Sequence, residues 1–213
     1  MKTLLIIVFM LAGGQMLLAQ STAFGGGYTS LTLINDFDNK SKNGIHAGIW
    51  YNSDDDFFLT GMVYLTLPSK FEARMPGIQK GDSTNWVQLY ESVVKSSMTM
   101  FDFNYGRYLV GDFTDNFGVF TTYGVALSYY RLDYDIINPG YTKPLDFDQD
   151  QLRSRDVMLS GGLGIDYAPH SKGKLSAGVK LYLPLLKISS GSNVSTPYFL
   201  DVSISYKYFI QPK

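Results

Sequence analysis

Cysteine is absent from the 213-residue chain. Disulfide staples, thiolate metal sites and a lipid-modified N-terminal cysteine are therefore excluded. Histidine is almost absent: His46 and His170 are the two in the chain, which leaves little for imidazole chemistry. Charged residues make up only 17% and nearly cancel, with a formal net charge of −1. That balance implies neither a nucleic-acid partner nor a basic membrane-surface mode. Long apolar runs are also missing beyond the first twenty positions, which excludes an α-helical membrane protein. What is abundant is tyrosine (16), phenylalanine (14) and glycine (21), a composition suited to aromatic belts and close strand packing.

The start of the chain has its own grammar. Met1-Lys2 opens a short basic end, Thr3 to Ala12 is apolar, Gly13-Gly14 breaks it, and Leu17-Leu18-Ala19 leads to Gln20. This is the layout of a secretory signal peptide, too short in its apolar part to span a bilayer as a helix. Cleavage is expected after Ala19 rather than after Ala23. Residues 1–19 are then the signal peptide and 20–213 a single exported domain.

Within that domain the clearest pattern is the last one. Tyr198, Leu200, Val202, Ile204, Tyr206, Tyr208 and Ile210 alternate with Phe199, Asp201, Ser203, Ser205, Lys207 and Phe209. Period two denotes a strand, and its length suits a membrane-crossing β-strand of about 9–11 residues, apolar toward lipid and polar toward a lumen. The same alternation recurs seven times before it. Expected strands cover about Gly26–Phe37, Ile45–Tyr51, Phe57–Leu67, Val94–Leu109, Phe117–Tyr129, Val157–Tyr167 and Leu175–Leu185. Short turns at 52–56, 111–116 and 169–173 alternate with the 38–44 and 189–197 loops and with two long connections, 68–93 and 135–154. Such alternation fits a barrel that keeps its tight turns on the periplasmic side. The expectation is all-β: an eight-stranded antiparallel up-and-down transmembrane β-barrel, preceded by a cleaved signal peptide.

Parity then sorts the chemistry. Asp102, Asp166, Lys180, Asp201 and Lys207 fall on the inward face. Eight strands leave a bore just wide enough for side chains to fill, so these charges are expected to pair and plug the lumen. A thin ion path along the same residues is the functional alternative. Gly162 and Gly164 on the inner face of the sixth strand are expected to make room for large partners such as Tyr182. Arg131 and Lys187 read as outward, just past the apolar band, where they would hold lipopolysaccharide phosphates or snorkel to the headgroup layer. Tyr51, Phe57, Tyr105, Phe117, Tyr167, Tyr206 and Tyr208 would form the periplasmic girdle.

Catalytic signals are weak. His46 is inward by parity and could act as a base, but no spacing ties a serine or carboxylate to it. His170 reads as a solvated turn residue. Asp146, Asp148 and Asp150 lack the glycine and closing glutamate of a calcium loop and read as a solvated loop. No metal, cofactor or catalytic residue is expected.

The alternating strands, the Leu18-Ala19-Gln20 junction and the closing Tyr206-Lys207-Tyr208-Phe209-Ile210 resemble the family of small outer-membrane β-barrel proteins, the porin-like group with OmpX-like and OmpW-like members. The resemblance implies an integral protein of the cell outer membrane in a Gram-negative envelope, its last strand read by the barrel-insertion machinery. The family hosts several activities, so the role is read from the loops: a structural or surface-interaction role through 68–93 and 135–154 is expected, with Trp86, Leu89 and Tyr90, beside Met75 and Ile78, as an apolar contact surface for an envelope partner. Other roles within reach are a narrow porin-like channel for small solutes and a barrel-type lipid A hydrolase.

Overall fold

The computed structural model describes residues 21–34, 41–54, 56–81, 87–144, 153–170, 172–188 and 198–210. The expected signal peptide, Trp86, the Asp146–Asp150 cluster and the 189–197 loop lie outside these residues. Among the described residues ten strands form: β1 (Ser21–Ile34), β2 (Ser41–Asp54), β3 (Phe57–Thr66), β4 (Ser69–Gln79), β5 (Gln88–Val110), β6 (Phe117–Ile136), β7 (Tyr141–Thr142), β8 (Arg153–His170), β9 (Gly173–Lys187) and β10 (Tyr198–Phe209).

All pairings are antiparallel. The ladder runs β3-β2-β1-β10-β9-β8-β6-β5, and β5 in turn pairs with β3, Phe57 to Leu65 facing Arg107 to Thr99. The first and last strands meet along their length, from Ala23 opposite Phe209 to Ile34 opposite Tyr198. Burial is inverted relative to a soluble protein. Asp102 and Asp166 are fully buried, whereas Leu163 and Ile204 are each 61% exposed.

The 68–93 connection is not a loop. β4 continues the path of β3 along the same neighbour, with Ser69 to Gly77 opposite Ser96 to Gln88 of β5. Pro68 marks the break between them, where a residue without an N–H cannot serve the ladder. In it Lys70, Glu72 and Arg74 alternate with Phe71, Ala73 and Met75. Charges on its exposed side disguised it as a polar connection. β5 accordingly spans 23 residues and β6 20, about twice a membrane crossing. β7 pairs with the far end of β4 through Ile78–Thr142 and Gln79–Tyr141.

Two further local features set side-chain positions. Between β8 and β9 the register passes from Val157–Leu186 to Met158–Pro184, so Leu185 is an extra residue. Such a bulge flips the parity beyond it. Lys187 therefore lies opposite buried Asp156 on the inward parity, not the outward one expected, and is itself exposed at the strand end. At the β5–β6 turn Gly111 takes a φ of 69°, a left-handed conformation that glycine adopts without strain.

Inward glycines accommodate rings: Gly106 lies against Phe58, and Gly164 against Phe120. Gly162 meets Lys180, while Tyr182 stands opposite Ser160, so the ring against Gly164 is Phe120 and not the expected Tyr182. Replacing Gly164 with Val would force a β-branched side chain into the Phe120 ring. A loss of about 1–3 kcal/mol is expected from such overpacking. Urea unfolding in detergent micelles, followed by tryptophan fluorescence, measures it.

Candidate functional site

The interior is built in three polar layers. In the middle layer Lys180 Nζ lies 2.7 Å from Asp102 Oδ2, which also accepts the Tyr182 hydroxyl at 2.9 Å. Ser160 donates to Asp102 Oδ1 at 3.2 Å and to Asn104 Oδ1 at 2.7 Å. Asp201 accepts the Thr29 hydroxyl, and its Oδ2 has no hydrogen-bond partner among the described residues.

Nearer the chain termini, Lys207 Nζ binds both oxygens of Asp166, at 2.9 and 3.0 Å, and Tyr108 donates to Oδ2 at 2.6 Å. The same ammonium lies 4.8 Å from the Phe120 ring centre and 5.3 Å from that of Trp50, within cation–π range. A buried ion pair is tolerable only when further donors and dipoles surround it, as here. Toward the other end Lys42 donates to Ser96 Oγ at 2.6 Å and to Tyr130 OH at 2.9 Å, and Ser154 donates to Asp156 at 2.6 Å. Between the first two layers a void of about 40 Å³ is bounded by Trp50, Phe58, Tyr64, Phe120 and Lys180. It has room for ordered water and not for an organic solute.

All five residues expected in the lumen are thus inside. Two ion pairs form among them, Lys180–Asp102 and Lys207–Asp166, and Asp201 stands outside both. Lys42, Lys174 and Asp156 are buried charges the sequence reading missed, because each sat at a boundary assigned to a turn. Trp50, Phe58, Tyr108 and Phe120 also face inward and are buried, although the sequence pattern singles out Tyr182 alone as an inward ring. His46 is buried against Tyr64, ring centres 5.3 Å apart, and neither ring nitrogen has a hydrogen-bond partner among the described residues. His170 is not merely solvated, since its Nε2 lies 3.1 Å from Tyr206 OH.

The exterior is apolar around the ladder: Phe24, Ile45, Leu65, Phe101, Val125, Leu159, Val179 and Val202 are all exposed. Of the expected girdle, Phe117, Tyr167, Tyr206 and Tyr208 are exposed, and Phe57 and Tyr105 are half-buried with ring centres 5.4 Å apart. Tyr51 is buried instead. At the opposite rim Arg131 is exposed and directly faces Arg153, with Arg155 beyond, its guanidinium 5.8 Å from the Tyr129 ring.

Past that rim, at the end opposite the chain termini, β4 and the distal halves of β5 and β6 stand as a sheet with their own apolar cluster. Val94 and Tyr134 are its buried centre, packed by Phe71, Met75, Leu132 and Ile136. Tyr134 OH donates to Pro76 O at 2.7 Å. Lys95–Asp135 and Lys143–Asp133, each 2.9 Å, brace the exterior face. Leu89 is exposed near the tip, and Tyr90 stacks on Tyr141 at 4.0 Å. Ile78 is buried and does not belong to the contact surface.

Solved structures that share this fold include Ail, the attachment invasion locus protein of Yersinia pestis, 10% identical over 89% of this chain and 98% of that one, TM-score 0.50. Neisserial surface protein A is 10% identical over 88% and 96%, TM-score 0.50. A major outer membrane protein from Thermus thermophilus is 10% identical over 89% and 99%, TM-score 0.54. The chain has the fold of the outer-membrane β-barrel proteins. No family model and no curated protein sequence matches it.

Two outcomes test the energetics. Asp166→Asn leaves Lys207 buried beside a neutral amide, and about 3–5 kcal/mol of stability should be lost. Replacing both, Asp166→Leu with Lys207→Met, should cost far less, read from urea midpoints in micelles. In the sheet extension, the hydrogen bond from Lys143 holds the Asp133 carboxyl below the usual carboxylate range, against the opposing effect of burial. A depressed carboxyl stabilises above its unfolded pKa and loses that contribution as pH falls through its folded value. Amide exchange over residues 132–136 should therefore rise on acidification below the usual carboxylate range, and Lys143→Met should remove this dependence.

Proposed function

We propose that the chain is an integral protein of the cell outer membrane, exported by removal of residues 1–19. In this reading eight strands, β1, β2, β3, β5, β6, β8, β9 and β10, close into an up-and-down barrel through the β3–β5 pairing. Hydrocarbon covers the apolar exterior, because a closed ring leaves no backbone group unpaired in lipid. The ion pairs and rings inside plug the bore. The sheet extension rises on the outer side, and the protein acts without catalysis, as a structural or surface-interaction element. The observation that carries this is the extension itself: strands twice the length of a crossing, with a separate apolar cluster, exceed what anchoring requires.

Partners follow from position. Arg131, with Arg153 and Arg155, lies where outer-leaflet lipid and lipopolysaccharide phosphates would lie, and Tyr206 to Ile210 would be presented to the insertion machinery. An envelope or surface protein would engage the extension. A narrow solute channel is the second reading. It draws on the 40 Å³ void and on Asp201 Oδ2, which has no hydrogen-bond partner among the described residues.

A variant lacking residues 72–93, with Asn-Gly joining Phe71 to the Val94 it faces, separates anchoring from interaction. It should keep the compact, heat-modifiable mobility of a closed barrel on a denaturing gel. A partner isolated from outer membranes in mild detergent with the intact protein should be missing from the variant. The intact protein should carry no steady current in a planar bilayer; a sustained conductance would reject the plug in favour of the channel.

A further inference from the structure

We infer that the free edge of β4 docks onto the same edge of a second copy, joining two molecules antiparallel about Ala73. This rests on the surface-interaction reading and names its partner. β5 occupies one edge of β4. On the other, β7 covers only Ile78 and Gln79, and among the described residues no strand pairs with Ser69–Gly77 there. Lys80 N donates to Gly140 O on that side at 2.9 Å, so the even-numbered positions of β4 direct their backbone groups to the open edge. Pro76 has even parity, so its missing N–H costs the β4–β5 ladder nothing and instead leaves the Lys70 carbonyl of the second copy without that donor in the join.

Charges and proline ordinarily guard an exposed edge. Here their order is self-complementary. Lys70, Glu72 and Arg74 are all exposed on one face, and their signs alternate. A two-fold axis through Ala73 sets Glu72 opposite Arg74 of the second copy, twice, both with backbone groups aimed across the join. On the other face Phe71 meets Met75, also twice, extending the Val94–Tyr134 cluster across the seam. Moving the axis one residue toward Glu72 sets Glu72 against itself and Lys70 against Arg74. Moving it toward Arg74 sets Arg74 against itself. Like charges directly opposite are destabilising, so these neighbours are disfavoured. An axis at Phe71 restores a Lys70–Glu72 pair but shortens the shared stretch.

The direction of the pairing fixes the partner's location. β4 prolongs β3, so joining the extensions antiparallel puts the two barrels at opposite ends of the shared sheet. Two copies in one membrane cannot adopt that arrangement. The contact is between molecules in facing membranes.

The absence of cysteine makes a direct test available. Ala73 would lie on the axis in a non-hydrogen-bonded pair, Cα atoms about 4.5 Å apart, which a disulfide can bridge. Ala73→Cys protein in two differently labelled vesicle populations should form mixed-label disulfide dimers on mild oxidation. Thr114→Cys, at the opposite end of the barrel, is the control. Glu72→Arg or Arg74→Glu, each combined with Ala73→Cys, should reduce cross-linking about tenfold or more, because both pairs become repulsive. Mixing those two variants restores both opposite-charge pairs and should restore the dimer. Cross-linking no greater than with Thr114→Cys overturns the proposal, as does cross-linking indifferent to the charge changes. If Ala73→Cys fails while the intact extension still retains another protein, self-docking falls and the surface-interaction reading stands. If neither self-docking nor a retained protein is found, both fall.

Discussion

A peptide group placed in hydrocarbon has no water to turn to, and an unpaired N–H or C=O there costs several kcal/mol. An open sheet exposes two rows of such groups, so in a bilayer its edges must be eliminated. In the proposed barrel the β3–β5 pairing meets that requirement, because it returns the ladder to its starting strand. Much else depends on it. Once the strands face each other around a ring, one side of every strand looks outward and the other inward. The period-two sequence then becomes an apolar exterior around a charged interior. Without the return, Asp102, Lys180, Asp166 and Lys207 would have no shared enclosure in which to find one another.

The interior reverses the usual economy of a folded domain. Its largest residues are aromatic rings and its centre is ionic, and the two are interleaved rather than segregated. Lys207 illustrates the logic: a carboxylate holds one side of its ammonium while the Trp50 and Phe120 rings face it. The rings occupy space that narrower side chains would leave to water, and glycine at 106 and 164 leaves room for the ring tips of Phe58 and Phe120 against the wall. Polar satisfaction and space filling are achieved by the same side chains.

How much of this was legible depended on which signal each element carried. The strands within the apolar belt were readable because lipid and lumen impose opposite chemistry on alternate residues. β10 was the clearest because its inward residues are mostly polar. The lumen charges followed from the same parity. β4 was missed because it lies past the belt, where both faces can be polar and charge on alternate residues looks like a solvated loop. Lys187 was misplaced by a single extra residue at Leu185, which period counting cannot see. The ring lining was missed for another reason. Phe58 and Phe120 occupy inward parity in plain view, but an aromatic residue is equally at home in a lipid-facing girdle, and only coordinates decide between the two.

The two buried ion pairs also bear on the order of assembly. Lys207 belongs to the last strand and Asp166 to one synthesised some forty residues earlier, while Lys180 on β9 reaches across to Asp102 on β5. Neither acid can meet its base until the C-terminal strands are in place. If the chain inserts as proposed, a half-built sheet entering the bilayer would carry naked charge on the side that should become its interior. Assembly is thereby biased toward concerted zippering of the whole wall, with the final hairpin acting as the electrostatic latch.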